Sequence, residues 1–395
     1  MTQYQKGYIW RVGRSWYGRW YQDQLEPGAD GNSQVVRRQH SEKLCEYGDR
    51  YRSKKDVQPL LDTKLQPLNE GRAAPESTLS VAEYGEKFFL PFVERERKPS
   101  TICGYKALWK MYLRARLTKI ALRDFRCCDA TNILAAIHRD HGIGRTTLRH
   151  CKALLSVIFS HAKRAGVLDG ANPVMDAAIP RAAETSKPTH AYSPDEVLTM
   201  LDALPGVART AVALMYFCGL RPGEARAIRW EDYNGKMLYV RNSMWRGELG
   251  TPKTEDSVGA VPVPWRLTEI LTDTRRESGF ILSSPTGQPV DLHNLAYRVV
   301  VPTLAQCAEC RMPEKEHPND HEFKPLPAWR GWYALRRGLA TLAASLDTPL
   351  ASKSLLRHSN VATTNAFYIK SVPEDALRAV EKIDALFGKG TAAHS

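Results

Sequence analysis

Residues suited to phosphoryl chemistry stand in four separated boxes of the C-terminal half of the chain. Gly219-Leu-Arg221-Pro-Gly-Glu224-Ala-Arg226 reads as a helix end, a tight turn and a new helix start, which aims the Arg221 guanidinium instead of leaving it mobile. Thr251-Pro-Lys253-Thr254 puts an ammonium at the tip of a turn between strand candidates. Tyr333-Ala-Leu-Arg336-Arg337-Gly supplies a further guanidinium, and Leu356-Arg357-His358-Ser359-Asn360 is followed by Thr363-Thr364-Asn-Ala-Phe367-Tyr368. Guanidiniums match phosphate oxygens with charge-assisted bonds, an ammonium or imidazole can supply a proton, and a tyrosyl oxygen can attack phosphorus. Each box alone also has a plain structural reading. Arg beside Gly and Pro is common in loops, a hairpin Lys is usually solvated, and a Tyr near a helix end more often packs than reacts.

A fifth group lies between the second and third boxes. Cys307-Ala-Glu-Cys310 followed by His317-Pro-Asn-Asp-His321 offers four zinc ligands in a C-x-x-C, H-x-x-x-H arrangement. With all four positions filled by protein, a structural zinc ion would staple the segment and would not activate water. The alternative is a polar loop with two reduced thiols. The other six cysteines are too sparse in 395 residues for a disulfide framework.

These residues need elements to position them. A chain of 395 residues is long enough for two or three domains of roughly 100–200 residues each. Lys and Arg number 56 against 43 Asp and Glu, leaving +13, which favours a polyanion over an acidic small molecule as partner. The surplus is greatest over 79–190, with 19 basic and 10 acidic residues. Residues 8–22 and the QVVRRQ segment read as a small basic sheet: either a DNA-contacting arm presenting Arg14, Arg19 and aromatics, or one whose Trp10, Trp16 and Trp20 fill a small core. Leu60–Thr78, rich in Pro, Gly and polar residues, reads as a linker.

Helical spacing recurs in four blocks over roughly 80–97, 100–117, 128–140 and 144–166. In the last, Arg145, Arg149, Lys152, Lys163 and Arg164 fall among Leu148, Leu154, Leu155, Ile158 and Phe159, so one face can be buried while another offers cations to DNA phosphates. Residues 181–192 read as a second linker. Ser193-Pro194-Asp195-Glu196 then carries an N-cap, a first-position proline and first-turn acids. Short strands are expected at 237–242 and 259–264, a helix from Trp265 to about Glu277, and an irregular insert over 306–328. The longest apolar stretch, Thr210–Leu220, falls far short of the roughly 20 residues of a membrane span, and the N-terminus lacks a secretion-signal pattern. The expectation is a cytoplasmic, nucleoid-associated protein without membrane contact.

Order and spacing make the boxes more informative together than singly. They resemble the tyrosine recombinase (phage integrase) family, whose catalytic domain carries an Arg in a G-x-R-x-x-E box, a hairpin Lys, an H-x-x-R box, an L-x-H-S box and a Tyr shortly after. The specific motifs cover about 193–387; over 79–180 the likeness rests on helical, basic character. The implied architecture is multidomain and mainly α: a β-rich arm-type DNA-binding domain over 1–59, a linker over 60–78, a helical core-binding (SAM-like) domain over 79–180, a linker over 181–192, a mixed α+β catalytic domain over 193–387 and a tail over 388–395.

The resemblance implies that Arg221 and Arg336 grip the scissile phosphate, that Lys253 protonates the leaving 5′ oxygen and that His358 donates a hydrogen bond. It makes Glu224 a supporting residue that orients neighbouring cations. Tyr368 is then the nucleophile of a 3′-phosphotyrosyl intermediate, with no cofactor needed for catalysis. Two departures stand out. Tyr333 occupies the usual His position, where a phenol of pKa near 10 can donate a hydrogen bond but is a poor base. Tyr368 lies ten residues after His358, where many members show nine, a spacing that would fall on Phe367.

The implied activity is site-specific DNA recombination on double-stranded DNA, by a homotetramer joined through the C-terminal block Pro373–Phe387 (apolar at Leu377, Val380, Ile383 and Leu386), with DNA-bending accessory proteins as further partners. The competing readings are a type IB topoisomerase or telomere resolvase, and a non-catalytic DNA-binding regulator retaining the fold.

Overall fold

The computed structural model describes residues 4–27, 33–70, 74–185, 188–251, 258–346 and 356–357. The chain divides into two units, 1–187 and 188–395. Most regular structure is helical, with small antiparallel sheets.

In the first unit, β1 (Tyr8–Val12), β2 (Ser15–Pro27) and β3 (Ser33–Glu46) form one antiparallel sheet in sequence order. Strand alternation sorts the tryptophans. Ile9, Trp16 and Trp20 turn inward, while Tyr8, Trp10 and Tyr17 stack on the other face with centroid separations of 6.2 and 5.6 Å. The Arg19 guanidinium lies 5.2 Å from the Tyr8 ring centroid and 5.6 Å from that of Trp10, and Arg14 is exposed in the β1–β2 turn. Two of the three tryptophans therefore serve the core, and the third joins an arginine on the surface.

The sheet is covered by α1 (Lys54–Asn69), a departure from the expectation that residues 60–69 are linker. Pro59 and Pro67 both lie inside this helix. An interior proline costs a helix about 3 kcal/mol or more. Against that, Val57, Leu61 and Leu65 repeat at four-residue spacing and are fully buried on the sheet, at about 1.5–3 kcal/mol each. A Ser53–Asp56 capping box fixes the first turn. Burial and capping outweigh the breakers.

The helical part of this unit comprises α2 (Val81–Tyr84), α3 (Leu90–Glu96), α4 (Pro99–Leu108), α5 (Cys127–His141) and α6 (Arg145–Arg164), with π-helical turns at Gly85–Phe89 and Trp109–Leu113. Along α6 the stripe Leu148, Cys151, Leu154, Leu155, Ile158, Phe159 and Ala162 is buried, and Arg149, Lys163 and Arg164 are exposed. Lys152, expected among the outward cations, is half-buried, and its ammonium donates to the Met175 and Ala177 carbonyls at 2.8 and 2.7 Å.

The second unit opens with α7 (Pro194–Ala203), capped by a Ser193–Glu196 box as the sequence indicates, and α8 (Gly206–Phe217), the most apolar helix of this unit. A short α9 (Pro222–Ala227) follows, then β4 (Met237–Val240), the hairpin β5 (Ser243–Trp245) and β6 (Glu248–Gly250), and β7 (Gly259–Pro262), which returns to pair with β4. Beyond α10 (Trp265–Asp273), α11 (Leu292–Leu295) and α12 (Val301–Leu304), the chain is irregular until α13 (Trp332–Leu346). Helices α7, α8, α10 and α13 supply much of one continuous core that includes Met200, Leu214, Trp230, Leu271 and Leu335. No helix among the described residues is long and apolar enough to cross a membrane.

Helix α13 crosses the chain at Tyr192 with no room to spare. A Cβ on Gly338 would stand 2.3 Å from the Tyr192 carbonyl oxygen and 2.9 Å from the Tyr216 ring. Main chain cannot swing aside as a flexible side chain would, so Gly338→Ala is expected to destabilise the protein by about 1–3 kcal/mol. Thermal unfolding checks this, and unchanged melting would show that α13 can shift without cost.

Candidate active site

The turn after α8 is built by Gly219. Its φ of 56° is left-handed, and a side chain there would collide with Leu356 at 2.6 Å and Leu339 at 3.0 Å. Glycine thus both makes the turn and lets α13 and the Leu356 turn close onto it. Arg221 then occupies the N-cap of α9 in extended conformation, with Pro222 at the first helical position. Glu224, at the third, reaches back: its carboxylate accepts the Arg221 main-chain N–H at 3.0 Å and the Arg221 guanidinium at 2.7 Å.

Glu224 is 1 % exposed and takes a second cation, the Arg357 guanidinium, at 2.8 Å on Oε2. Burial by itself would push this carboxyl up. The charges of Arg357 and Arg221 and the hydrogen bonds from Arg221 outweigh burial and hold it below its ordinary value, so it is a carboxylate at neutral pH.

Arg336, also 1 % exposed, extends from α13 and donates to the main-chain carbonyls of Gly219 and Leu356. Two of its five N–H donors are committed to holding it in place. Tyr333, one turn earlier, is half exposed. Arg337 points elsewhere and donates to the His190 carbonyl at 2.7 Å. Arg221, Glu224, Arg336 and the Leu356–Arg357 turn therefore converge. Lys253, His358, Tyr368 and the Pro373–Phe387 block lie outside the described residues, although the ends of β6 and β7 flank the Lys253 segment. Arg357 escaped the residue-type reading because nothing in its spacing separates it from a solvated arginine. Its position between Leu356 and His358 was the available signal.

The Cys/His group is assembled away from these arginines in sequence. Cys307, Cys310, His317 and His321 bring their ligand atoms within 4.8 Å of one another. Arg311, in left-handed conformation at φ 60°, turns the chain between the cysteines and histidines, and the Cys307 N–H donates to the Met312 carbonyl at 2.9 Å. His317 Nε2 and His321 Nε2 stand 3.2 Å apart, and Cys307 Sγ is 3.5 Å from His321 Nε2. Asp320 binds the opposite nitrogen of His321, Nδ1, which orients Nε2 inward. Burial opposes ionisation of the Cys307 thiol, but main-chain hydrogen bonds from Cys310, Lys324 and Glu309 and the His321 ring pull it down to about 5.

No protein-family model matches the chain. Over 93 % of its length it is 22 % identical to the curated "Tyrosine recombinase XerC-like" protein of Caldanaerobacter subterraneus subsp. tengcongensis, covering 96 % of that relative. Its fold matches the Tn1549 transposon integrase, solved with circular intermediate DNA, with a TM-score of 0.60 at 18 % identity over 77 % of this chain and 99 % of that one. It also matches lambda integrase, solved as a tetramer on a Holliday junction, at a TM-score of 0.54 and 17 % identity over 92 % and 94 % of the two chains.

Glu224 is buried and its charge offsets those of two guanidiniums, so Glu224→Gln is expected to lower stability by about 3–5 kcal/mol at neutral pH. Because the folded carboxyl lies below its ordinary value of 4.5, its contribution is complete above that value and disappears as pH falls through the folded one. Denaturant unfolding at neutral pH and below pH 4.5 should show the gap between wild type and variant closing on acidification. A pH-independent gap would disprove the charge account.

Proposed function

We propose that this chain, which falls in the tyrosine recombinase family by its fold and its full-length likeness to a curated recombinase, is a site-specific DNA recombinase that cleaves and rejoins DNA through a 3′-phosphotyrosyl intermediate. The observation that carries the reading is the convergence of Arg221 and Arg336, each held by fixed acceptors, beside the turn that leads into His358. Attack on phosphorus places extra charge on the nonbridging oxygens, and guanidiniums fixed in advance stabilise it without reorganising. In this reading Tyr368 attacks, Lys253 protonates the departing 5′ oxygen, and His358 and Tyr333 donate hydrogen bonds to the phosphate. The tyrosyl ester conserves the energy of the broken phosphodiester, so rejoining needs no ATP and no metal. The exposed cations Arg149, Lys163 and Arg164, with Arg145 beside them, would contact the DNA backbone, as would Arg14 and Arg19 of the sheet.

The three-domain division read from the sequence, a homotetramer joined through Pro373–Phe387, DNA-bending accessory proteins and nucleoid association belong to the same proposal. A nicked suicide duplex carrying the recombination site is expected to give a denaturation-resistant protein–DNA adduct that Tyr368→Phe abolishes. An adduct that persists in the Phe variant would overturn the nucleophile assignment. A wild-type protein that binds the site without forming an adduct would favour the non-catalytic regulator.

The Cys/His cluster fits a second, structural element of this reading: a zinc site. Tetrahedral zinc, with bonds of about 2.0–2.1 Å to nitrogen and about 2.3 Å to sulfur, sets two nitrogens about 3.3 Å apart and a nitrogen and a sulfur about 3.6 Å apart. The separations here are 3.2 and 3.5 Å. Four protein ligands would close the site to substrate and tie the insert at its neck, where Ala308 N–H donates to the Lys324 carbonyl at 2.7 Å. Protein purified without chelator should contain one zinc per chain, and chelation or Cys310→Ser should release it and lower the melting temperature. Metal-free protein whose melting is insensitive to added zinc would eliminate the site.

A further inference from the structure

Arg357 occupies a place where a chain is usually simplest. Its φ is 53°, the left-handed region that most side chains avoid and that glycine adopts freely. Its side chain does not run to solvent. At 8 % exposure it crosses from the Leu356 turn to Glu224, and its Cδ passes 3.9 Å from the place a Cβ on Gly259 would take, at the start of β7. Burying a guanidinium is strongly unfavourable unless it is paired and hydrogen-bonded. A residue needed only to shape this turn would be glycine, so the strained, desolvated arginine must act through what it touches.

It touches the oxygen that matters for Arg221. Glu224 Oε2 accepts both Arg357 and the Arg221 main-chain N–H, while Oε1 accepts the Arg221 guanidinium. Without Arg357 both of these oxygens would be tied to Arg221 itself, so the carboxylate and the guanidinium could shift together. Held from both sides, the carboxylate is fixed, and so is the direction in which Arg221 points. The same bond joins the turn preceding His358 to the turn preceding α9, and Arg336 joins them a second time through the Gly219 and Leu356 carbonyls.

We infer that Arg357 is a positioning residue of the phosphate site: through Glu224 it fixes the aim of Arg221 and docks the Leu356–Arg357 turn, which precedes His358 in sequence. Its effect on cleavage rests on the recombinase reading above; its anchoring of Glu224 does not. The two are separable in one set of variants, Arg357→Gly, Arg357→Lys, Glu224→Gln and the double variant Arg357→Gly with Glu224→Gln.

On the nicked suicide duplex at saturating protein, Arg357→Gly is expected to slow adduct formation by about tenfold or more while changing DNA affinity by no more than about threefold, with partial recovery in Arg357→Lys. Placed on the Glu224→Gln background, Arg357→Gly should cost much less, because the group it acts through has already gone. Wild-type cleavage by Arg357→Gly, or an equal loss in both backgrounds, would overturn the positioning role. Thermal unfolding reads the anchor without any activity: Arg357→Gly should lower the melting temperature of the wild type clearly more than that of Glu224→Gln, since there its bond to the carboxylate has already been weakened. Equal shifts in both backgrounds would overturn the anchor. Absence of an adduct from the wild type, with the melting cycle behaving as expected, would fault the recombinase reading alone. If Arg357→Gly fails to fold, Arg357→Lys carries the same comparisons.

Discussion

One buried carboxylate, that of Glu224, is shared by two guanidiniums arriving from turns more than a hundred residues apart in sequence. Around it the second unit gathers Arg221, Arg357 and, through main-chain carbonyls, Arg336. Among the described residues this group holds three arginines and one acid. Cations held together out of water repel, and that repulsion is relieved when an anion docks. The group is thereby disposed towards an anion, and the anchoring bonds keep the arginines from relaxing outward.

Some of this arrangement is legible in the order of residues alone. Gly219, Pro222 and Glu224 announce a turn, a helix start and a capping acid, and a side chain placed at such a junction is aimed by the backbone. Ser193-Pro194 likewise marks the start of α7, and the four Cys/His positions converge in space as their spacing suggests. What local pattern misses is decided by tertiary contact. Pro59 and Pro67 look like breakers until the buried side of α1 meets the sheet. Lys152 looks like a surface cation until the chain returning at Met175 and Ala177 offers it two carbonyls. Arg357 looks solvated until Glu224, distant in sequence, comes within reach. In each case the deciding partner lies beyond any window that periodicity can examine.

The N-terminal sheet shows the same logic on a smaller scale. Strand alternation commits Trp16 and Trp20 to the core and leaves Tyr8, Trp10 and Tyr17 as a stacked row beneath Arg19. Rings on an outer face hold a guanidinium flat at modest energetic gain, which keeps the charge extended and hydrated on one side. Trp16 and Trp20 fill the core as one reading has it, while Trp10 lies on the opposite face of the same strands beside Arg19.

The anchoring of Arg336 has an evolutionary corollary. Two of its acceptors are peptide carbonyls, and every residue type supplies an identical peptide carbonyl. Substitution at the supporting positions cannot delete either acceptor; it can only displace one by altering the path of the chain. Divergence around these two bonds is therefore policed by shape, most strictly at Gly219, where any added carbon would strike Leu356.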